Sequence, residues 1–354
     1  MVTLFLCPGM ELIAFDLLIS QSISMKKILN HLFEQKTFNK SEAKEILRDM
    51  TQGKFNVSQM AAFMAVYCMR NITVDELEGF RDAMLELCKP TKLDDYELID
   101  LCGTGGDGKD TFNISTLASF VVAGAGYQVA KHGNYGVSSG CGSSNVMEFM
   151  GYQFTDDTDL LRRNVEEAGI CFLHAPLFHP AMKTVAPIRK ELGVKTFFNM
   201  LGPMVNPSRP KYQMVGVFSL ELARLFAYLY QKEEKQYTVL HALEGYDEIS
   251  LTCDYKTYTN KGEELHSLSA LGFDRIDPKT IAGGSSVTES AEIFQAVLNG
   301  QGTSEQNNVV LCNAATAIKT IKSNNSFSDC FYEAEESLLS KRALNSFNKL
   351  LALN

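Results

Sequence analysis

Residues 101–116, which read LCGTGGDGKDTFNIST, decide the predicted fold. The apolar run from Leu98 to Cys102 has the pattern of a buried strand and ends directly at the glycines. A helix with an apolar face then begins near Ser115. Glycines between a strand end and a helix N-terminus present backbone N–H groups to an anion, because glycine accepts positive φ and lets a ligand approach closely. This segment therefore predicts an α/β fold with a phosphate-binding loop.

The loop matches neither of two common nucleotide-binding motifs. It lacks the Gly-Lys-Ser/Thr ending of a P-loop, and its glycine spacing is not that of a dinucleotide fingerprint. A tight structural turn would be enough to explain a lone glycine pair. The larger set of polar groups favours ligand binding, because four glycines combine with Asp107, Asn113, Ser115 and Thr116.

A second polar loop follows at residues 131–145, which read KHGNYGVSSGCGSSN, after a predicted strand at 127–130. It brings together a cation, an imidazole, a carboxamide and serine hydroxyls, and Ser143 or Ser144 is predicted to cap the next helix. The chain thus has two successive strand–loop–helix units. Open α/β sheets bind ligands at the carboxyl ends of their strands. Two such loops suit a ligand with more than one phosphate.

Several long motifs, in this order along the chain, carry a resemblance to a known family. They are GTGGDG…FNIST, KHGN…SS.CGS, HPAMK…IRKELGVKTFFNMLGPMVNP, LEGYDEIS and GGSSVTESAEIF. From about Met25 to the C-terminus the chain resembles the anthranilate phosphoribosyltransferases. The resemblance implies transfer of phosphoribose from phosphoribosyl pyrophosphate to the amino group of anthranilate, with release of pyrophosphate. It also implies a requirement for Mg²⁺, a role in tryptophan biosynthesis, a homodimer formed through a helical domain, and a cytoplasmic location.

The hydrophobic pattern divides the chain into two parts. Apolar spacing is helical over residues 25–92, whereas residues 93–354 alternate short β-like runs with helices. We predict a small helical domain hinged to a larger α/β domain with a mixed, mainly parallel sheet flanked by helices, and a joining segment near 185–210. Residues 1–24 are predicted to be a disordered or mis-started extension. The predicted strands are 97–102, 127–130, 170–173, 212–218 and 237–243, and helices include 158–168, 221–230 and most of 307–353.

The resemblance assigns site residues position by position. The phosphoribosyl pyrophosphate site would comprise Gly103, Gly106, Asp107, Thr111, Asn113, Ser115, Thr116, Lys131 and Ser143. The anthranilate site would comprise Gly103, Asn134, Arg189 and His132. The metal ligands would be Ser115, Asp247 and Glu248.

Chemistry gives reasons for several of these assignments. The fork of the Arg189 guanidinium suits the carboxylate of an aromatic acid. Asp247 and Glu248 follow a predicted strand, and their hard oxygen atoms suit Mg²⁺. An aromatic amine is neutral at pH 7 and has a free lone pair, so no residue is assigned as a general base, acid or nucleophile.

Composition argues against several other classes of protein. The 354 residues carry a formal net charge of −9, which disfavours a general nucleic-acid or anionic-membrane surface. No apolar run approaches the ~18 residues that a membrane-spanning helix needs. The nine cysteines form no C-x-x-C pair, which indicates reduced thiols rather than a zinc site or a disulfide framework. We therefore expect neither a nucleic acid nor a membrane as a partner.

Four positions depart from the usual family pattern. Asparagine stands at Asn145 where aspartate is common, tyrosine at Tyr135 where arginine is common, and glycine at Gly140 where lysine is common; His174 stands where an aromatic residue is usual. The loss of two cations beside the site could weaken substrate affinity or alter acceptor preference. His179 is a further candidate to line the entrance for the acceptor.

Two alternative functions remain open from the sequence. A pyrimidine nucleoside phosphorylase shares the general architecture but uses inorganic phosphate and a nucleobase. A paralogue could instead keep the fold and bind nucleic acid without catalysis, although that would predict a basic groove and eroded motifs. The intact GTGGDG loop and the acidic pair favour the transferase.

Overall fold

The structure is a computed structural model, and it describes residues 24–136 and 140–353. The extension predicted at residues 1–24 lies outside this part of the chain, apart from Ser24. Among the described helices, none is both long enough and apolar enough to cross a membrane.

The first four helices form a helical layer, and side-chain caps set the starts of three of them. Asn39 accepts the backbone N–H of Glu42, and Asn56 and Thr73 cap the third and fourth helices in the same way. Asn39 is therefore the N-cap of the second helix. The helices are α1 Met25–Phe33, α2 Lys40–Thr51, α3 Val57–Met69 and α4 Val74–Leu87.

A later segment completes the core of this helical layer. Helix α9, Met182–Leu192, packs against α2 and α3. Phe197, which follows it, is fully buried and stacks on Phe80 of α4 with ring centroids 4.6 Å apart. The segment predicted to join the two parts of the chain thus contributes side chains to the helical core. The exact domain boundaries stay a prediction.

The described part of the chain contains one seven-stranded sheet in the order β3-β2-β1-β4-β5-β6-β7. Its first five strands are parallel to one another, whereas β6 and β7 are antiparallel. This confirms the predicted α/β class with a mixed, mainly parallel sheet. The strands are β1 Ile99–Gly103, β2 Val129–Gly133, β3 Ile170–His174, β4 Tyr212–Gly216, β5 Gln236–Ala242, β6 Tyr255–Thr259 and β7 Gly262–His266.

Helices flank the sheet and bury its apolar face. Helix α5 packs against β1 and against the long helix α13, which places apolar side chains in the main core. The other helices are α5 Ile114–Gly124, α6 Ser143–Phe149, α7 Thr158–Ala168, α8 Ala175–Phe178, α10 Phe198–Leu201, α11 Leu220–Tyr230, α12 Val287–Leu298, α13 Ser304–Ile321, α14 Phe327–Leu339 and α15 Arg342–Ala352.

Two predictions about the strands were wrong. The strand predicted at 127–130 lies at Val129–Gly133, so Lys131 and His132 belong to the strand end and are buried rather than lying in the following loop. The β6–β7 hairpin was missed, because its outer strand is largely exposed and polar and carries no apolar run. The first correction concerns the bounds of one strand, and the second adds two strands at one edge of the sheet.

Candidate active site

The carboxyl ends of β1 and β2 open into a cavity of about 300 Å³. Both polar loops line it, together with the start of α5, the end of α9 and the acidic pair after β5. The further candidate His179 does not line this cavity, whereas the structure brings to it all the residues assigned to the substrate and metal sites: Gly103, Gly106, Asp107, Thr111, Asn113, Ser115, Thr116, Lys131, His132, Asn134, Ser143, Arg189, Asp247 and Glu248. The role of each residue toward a ligand stays a prediction.

The first loop exposes backbone donors because its glycines adopt the left-handed conformation. Gly105 and Gly106 have φ values of +66° and +75°. The loop is anchored where the N–H of Thr104 donates to the carbonyl of Gly216 on β4 at 2.9 Å. Helix α5 begins beyond it, and its N-terminal amides point toward the cavity side that Ser115 lines. The combination of loop amides and a helix N-terminus favours anion binding.

The acidic pair reaches these same donors from the other side. Glu248 accepts the backbone N–H of Ser115 at 3.0 Å and the hydroxyl of Thr111 at 3.2 Å. Asp247 accepts the backbone N–H of Gly105 at 2.7 Å. The loop and the acidic segment are therefore held together by carboxylates on amide and hydroxyl donors.

Two glycines make room for Asp247. A Cβ on Gly103 would lie 2.3 Å from Oδ2 of Asp247, and a Cβ on Gly216 would lie 1.4 Å from its backbone oxygen. Neither distance is sterically possible. Glycine is therefore required at the end of β4, where the acidic segment crosses, whereas a side chain at Gly103 would displace the Asp247 carboxylate.

The electrostatics of this corner suit a cation. Burial raises the pKa of Asp247, and the charge of Asp107 raises it further. The pKa of Glu248 is raised by burial and then by the charges of Asp247 and Asp107. Three acidic groups so close together repel one another, and a positive ion between them would relieve that repulsion.

The oxygen donors fit Mg²⁺ in one particular way. Within the described residues, no group of three or more His, Cys, Asp or Glu side chains is arranged to hold a metal alone. Mg²⁺ commonly takes one or two carboxylates and completes its shell with water and substrate phosphate. Asp247 and Glu248 beside a phosphate-type loop match that arrangement, and the hydroxyl of Ser115 lies on the same wall.

Lys131 brings a positive charge to the floor of the cavity. Its side chain is 2% exposed, and its Nζ donates to the carbonyl of Leu101 at 2.6 Å. Asp100 lies fully buried beneath it and accepts the backbone N–H of His132 at 3.1 Å. The ammonium group is therefore fixed in position and partly balanced by a buried carboxylate.

The second loop is held by Asn145. The side-chain oxygen of Asn145 accepts the N–H of Gly136 at 2.9 Å and that of Gly142 at 3.0 Å. Neither Ser143 nor Ser144 caps helix α6, contrary to prediction, since the helix begins at Ser143 and its capping position is Gly142. Ser143 instead donates to the carbonyl of Asn134 at 3.3 Å. The asparagine that departs from the family pattern thus ties the two sides of the loop together.

The opposite wall of the cavity is formed by α9 and α10. Arg189 donates to the side chain of Asn199 at 3.3 Å, and its guanidinium lies 5.3 Å from the ring centroid of Phe198. Burial lowers its pKa. A guanidinium can bind a carboxylate through charge-assisted hydrogen bonds, and the neighbouring ring of Phe198 adds an aromatic surface to this wall.

Two domain families match the chain over most of its length. Residues 26–88 match the family described as glycosyl transferase family, helical bundle domain, and residues 95–344 match the glycosyl transferase family, a/b domain. An anthranilate phosphoribosyltransferase of Flavobacterium psychrophilum is 59% identical over 330 residues, which cover 93% of this chain and 100% of that protein. The chain belongs to the anthranilate phosphoribosyltransferase family. The corresponding protein of Bacteroides fragilis is 51% identical over the same share of both chains.

Solved structures of anthranilate phosphoribosyltransferases share the fold. The enzyme from Thermus thermophilus is 30% identical and superposes with a TM-score of 0.85, covering 92% of this chain and 98% of that one. The enzyme from Saccharomyces cerevisiae, solved with phosphoribosyl pyrophosphate and Mg, is 23% identical, with a TM-score of 0.85 and coverage of 93% and 97%. At that identity, the likeness to the yeast enzyme shows the fold alone.

Two buried histidines, His132 and His179, pack against each other beside the cavity. His132 lines the cavity, and its Nδ1 lies 3.1 Å from the carbonyl of Gly202. His179 packs against it with ring centroids 5.3 Å apart but does not line the cavity. Burial lowers the pKa of His132 to about 4 and that of His179 to about 3. Both imidazoles are therefore neutral at physiological pH.

Two of the remaining departures from the anthranilate phosphoribosyltransferase pattern, Tyr135 and His174, contact each other. His174 accepts or donates a bond with the hydroxyl of Ser144 at 2.9 Å and stacks on Phe154 with centroids 4.3 Å apart. Tyr135 meets the edge of the His174 ring at 4.9 Å and lines the cavity. The aromatic character expected at position 174 is thus kept by an imidazole that packs as a ring.

Sequence reasoning missed several residues at the site. Lys195, which is exposed, donates from its Nζ to the carbonyl of Gly106 and so connects the segment after α9 to the glycine loop. Phe198 and Asn199 surround Arg189. All three lie within the GVKTFFN stretch, so the signal was present in a motif that was used only for Arg189.

Proposed function

We propose that this chain transfers phosphoribose from phosphoribosyl pyrophosphate to the amino group of anthranilate, yielding N-(5-phosphoribosyl)anthranilate and pyrophosphate. Relatives that are 59% and 57% identical over 93% of the chain carry this activity as their name. One structural observation carries the proposal. A single cavity combines amide and hydroxyl donors, a buried lysine, a carboxylate pair and a guanidinium on the facing wall.

The phosphate-bearing substrate fits the side formed by the two loops. The amides near Gly103 and Gly106, the side chains of Asn113 and Thr116 and the hydroxyls of Thr111 and Ser115 would donate to phosphate oxygens. Lys131 and Ser143 would contact the pyrophosphate, and Asp107 would face the ribose hydroxyls or the pyrophosphate. Preorganised donors of this kind favour charge that develops on a leaving group.

The acceptor fits the opposite wall. Arg189 would bind the anthranilate carboxylate, while Asn134, His132 and the backbone of Gly103 would border the ring and the amine. Because the pKa of His132 is lowered to about 4, its imidazole is neutral and can approach an uncharged amine without repulsion. Holding both substrates in one geometry supplies much of the rate in a displacement of this kind.

The reaction forms one bond and breaks one. The lone pair of the anthranilate nitrogen attacks ribose C1, the bond from C1 to the pyrophosphate oxygen breaks, and its electron pair leaves with pyrophosphate. The nitrogen then loses a proton to water or to the pyrophosphate. Asp247, Glu248 and the hydroxyl of Ser115 would hold Mg²⁺. Bound Mg²⁺ supplies positive charge to the leaving pyrophosphate.

Loss of anthranilate fluorescence with time tests this proposal. We expect the signal to fall only when protein, phosphoribosyl pyrophosphate and Mg²⁺ are all present, and to stay constant with EDTA. A folded protein that leaves the signal unchanged under all conditions would contradict the proposal. Phosphorolysis of thymidine or uridine would point to the pyrimidine nucleoside phosphorylase, and salt-sensitive binding of single-stranded DNA would point to a nucleic-acid-binding paralogue.

We further propose a homodimer formed through the helical layer, in the cytoplasm. Exposed apolar side chains on these helices support the dimer: Phe33 is 60% exposed and Met69 is 89% exposed. Sedimentation velocity checks it, with Met69→Glu as the disrupting variant. A monomer at micromolar concentration would contradict it.

The division into a helical domain at 25–92, joined through 185–210, and an α/β domain at 93–354 also stays a proposal.

A further inference from the structure

The loop that carries the acidic pair has little main-chain support of its own. It connects β5, which ends at Ala242, to β6, which begins at Tyr255. Within the described residues, residues 247–250 make no backbone–backbone hydrogen bond. The segment is largely buried, and buried amides and carbonyls are costly when unpaired. Its backbone groups therefore need side chains as hydrogen-bond partners.

One side chain on helix α13 supplies both missing partners at Ile249. The side-chain oxygen of Asn313 accepts the N–H of Ile249 at 3.1 Å. Its Nδ2 donates to the carbonyl of Ile249 at 2.9 Å. The second hydrogen of Nδ2 goes to the carbonyl of Val309, one turn earlier in the helix, at 2.8 Å. The carboxamide is thus fully used, and it pairs with Ile249 as a neighbouring strand would.

The position of this contact matters for the site. Ile249 directly follows Glu248, and both Ile249 and Asn313 are buried, with 0% and 2% exposure. On the other side of the pair, the backbone oxygen of Asp247 rests against Gly216, where no Cβ could fit. The backbone of the acidic segment is therefore fixed at two points: Asp247 packs against Gly216, and Ile249 forms two hydrogen bonds with Asn313.

We propose that Asn313 is a positioning residue for the metal-binding carboxylates Asp247 and Glu248. This inference rests on the proposed function, because it takes the pair to be the metal ligands. Asn313 does not line the cavity, so it acts through the backbone of Ile249. Groups that orient metal ligands typically change metal affinity by roughly 10–100-fold when removed.

The decisive variant is Asn313→Ser. A serine hydroxyl can still bond to the carbonyl of Val309 one turn earlier, but it is too short to pair with Ile249. Asn313→Ala removes all three bonds and serves as the stronger variant. Thr316→Ala is the matched control, since the Thr316 hydroxyl is also buried on α13 and donates to Cys312 within the helix at 2.9 Å.

The measurement is calorimetric titration of Mg²⁺ into protein saturated with pyrophosphate, paired with thermal unfolding. We expect Asn313→Ser to weaken Mg²⁺ binding about tenfold, and Thr316→Ala to leave it unchanged. Should Asn313→Ala fail to fold, Asn313→Ser decides the question. Unaltered Mg²⁺ affinity in Asn313→Ser, with a lowered unfolding temperature, would reduce Asn313 to a structural role. Absence of Mg²⁺-dependent pyrophosphate binding in the wild-type protein would instead overturn the proposed function.

Discussion

Oε1 of Glu248 accepts the backbone N–H of Ser115 at 3.0 Å, so a carboxylate of the protein caps the N-terminus of helix α5. Its second oxygen accepts the hydroxyl of Thr111 at 3.2 Å. The Thr111 hydroxyl is one of the donors proposed for phosphate, and the Ser115 amide belongs to the same residue as another proposed donor, the Ser115 hydroxyl. Glu248 therefore occupies, in this state, part of the place that a substrate phosphate would take. Substrate and metal binding should be linked, because a cation that draws the carboxylate away also frees the donors.

The first prediction tests whether Glu248 weakens pyrophosphate binding by occupying the Ser115 and Thr111 donors or only by charge repulsion. Without metal, Glu248→Ala should bind pyrophosphate about tenfold more tightly than wild type, since a freed donor to a charged group contributes roughly 1.5–3 kcal/mol. Glu248→Gln loses the charge but keeps an acceptor for Ser115, and should gain much less. Asp107→Asn is the charge control, because the Asp107 carboxylate accepts the N–H of Lys109 rather than a donor of α5.

Calorimetry with pyrophosphate in EDTA measures these affinities. Equal gains in Glu248→Ala, Glu248→Gln and Asp107→Asn would mean that charge alone matters. With excess Mg²⁺ the order should reverse, and Glu248→Ala should bind pyrophosphate more weakly than wild type.

The second prediction concerns the acceptor. Arg189→Ala should raise the anthranilate KM by roughly 10-fold or more, because a charge-assisted hydrogen bond to the carboxylate is lost. The KM for phosphoribosyl pyrophosphate should change little. Lys190→Ala is the control, because Lys190 is the next cation on α9 and is exposed. Steady-state kinetics with each substrate varied in turn gives the answer, and an equal rise in both KM values would remove Arg189 from the acceptor site.

The third prediction concerns the close contact between Gly216 at the end of β4 and the backbone of Asp247. Gly216→Ala should destabilise the protein by about 1–3 kcal/mol or more, because its Cβ would overlap the backbone oxygen of Asp247. It should also abolish Mg²⁺-dependent activity, since Asp247 must shift. Gly202→Ala is the control for folding, because a Cβ there would meet nothing within 4 Å. Urea unfolding measures the free energies, and similar values for the two variants would argue against a required close approach.

The first loop and its neighbour could be predicted because their signals are local. Glycines at Gly103 and Gly106, a strand before them and a helix start after them fix what residues 101–116 can form. The order of the α/β elements followed from the same local alternation. Local signals place the bounds of elements poorly, which is why Lys131 was expected in a loop although it is buried within β2.

Contacts between distant residues could not be predicted from the sequence. Glu248 and Ser115 are 133 positions apart, and Asn313 is 64 positions from Ile249. An asparagine within an apolar helix gives no indication of its partner until the helix is placed against the loop. The acidic pair itself could be assigned only through its resemblance to a family motif, because an isolated Asp-Glu pair is usually an exposed turn. Tertiary placement, rather than composition, makes these residues part of the site.

The last prediction is a dependence of stability on pH that comes from His132 and His179. Their pKa values in the folded protein are lowered to about 4 and about 3, mainly by burial, whereas an unfolded histidine has a pKa of about 6.5. Below pH 6.5 the unfolded chain therefore binds more protons than the folded one. Each histidine should then reduce the free energy of unfolding by up to about 1.4 kcal/mol per pH unit, until the pH reaches its folded pKa.

Variants isolate this contribution from that of the carboxylates. His179→Asn should flatten the fall in unfolding free energy between pH 6.5 and pH 4.5 by up to about 1.4 kcal/mol per unit, and His132→Asn should have a similar effect. Urea unfolding at half-unit pH intervals measures the slopes, with values at pH 8 correcting for any loss of packing. Slopes identical to that of the wild-type protein would mean that the two imidazoles gain protons without unfolding. The folded protein would then tolerate a protonated His132, and this imidazolium would lie beside the proposed position of the acceptor amine.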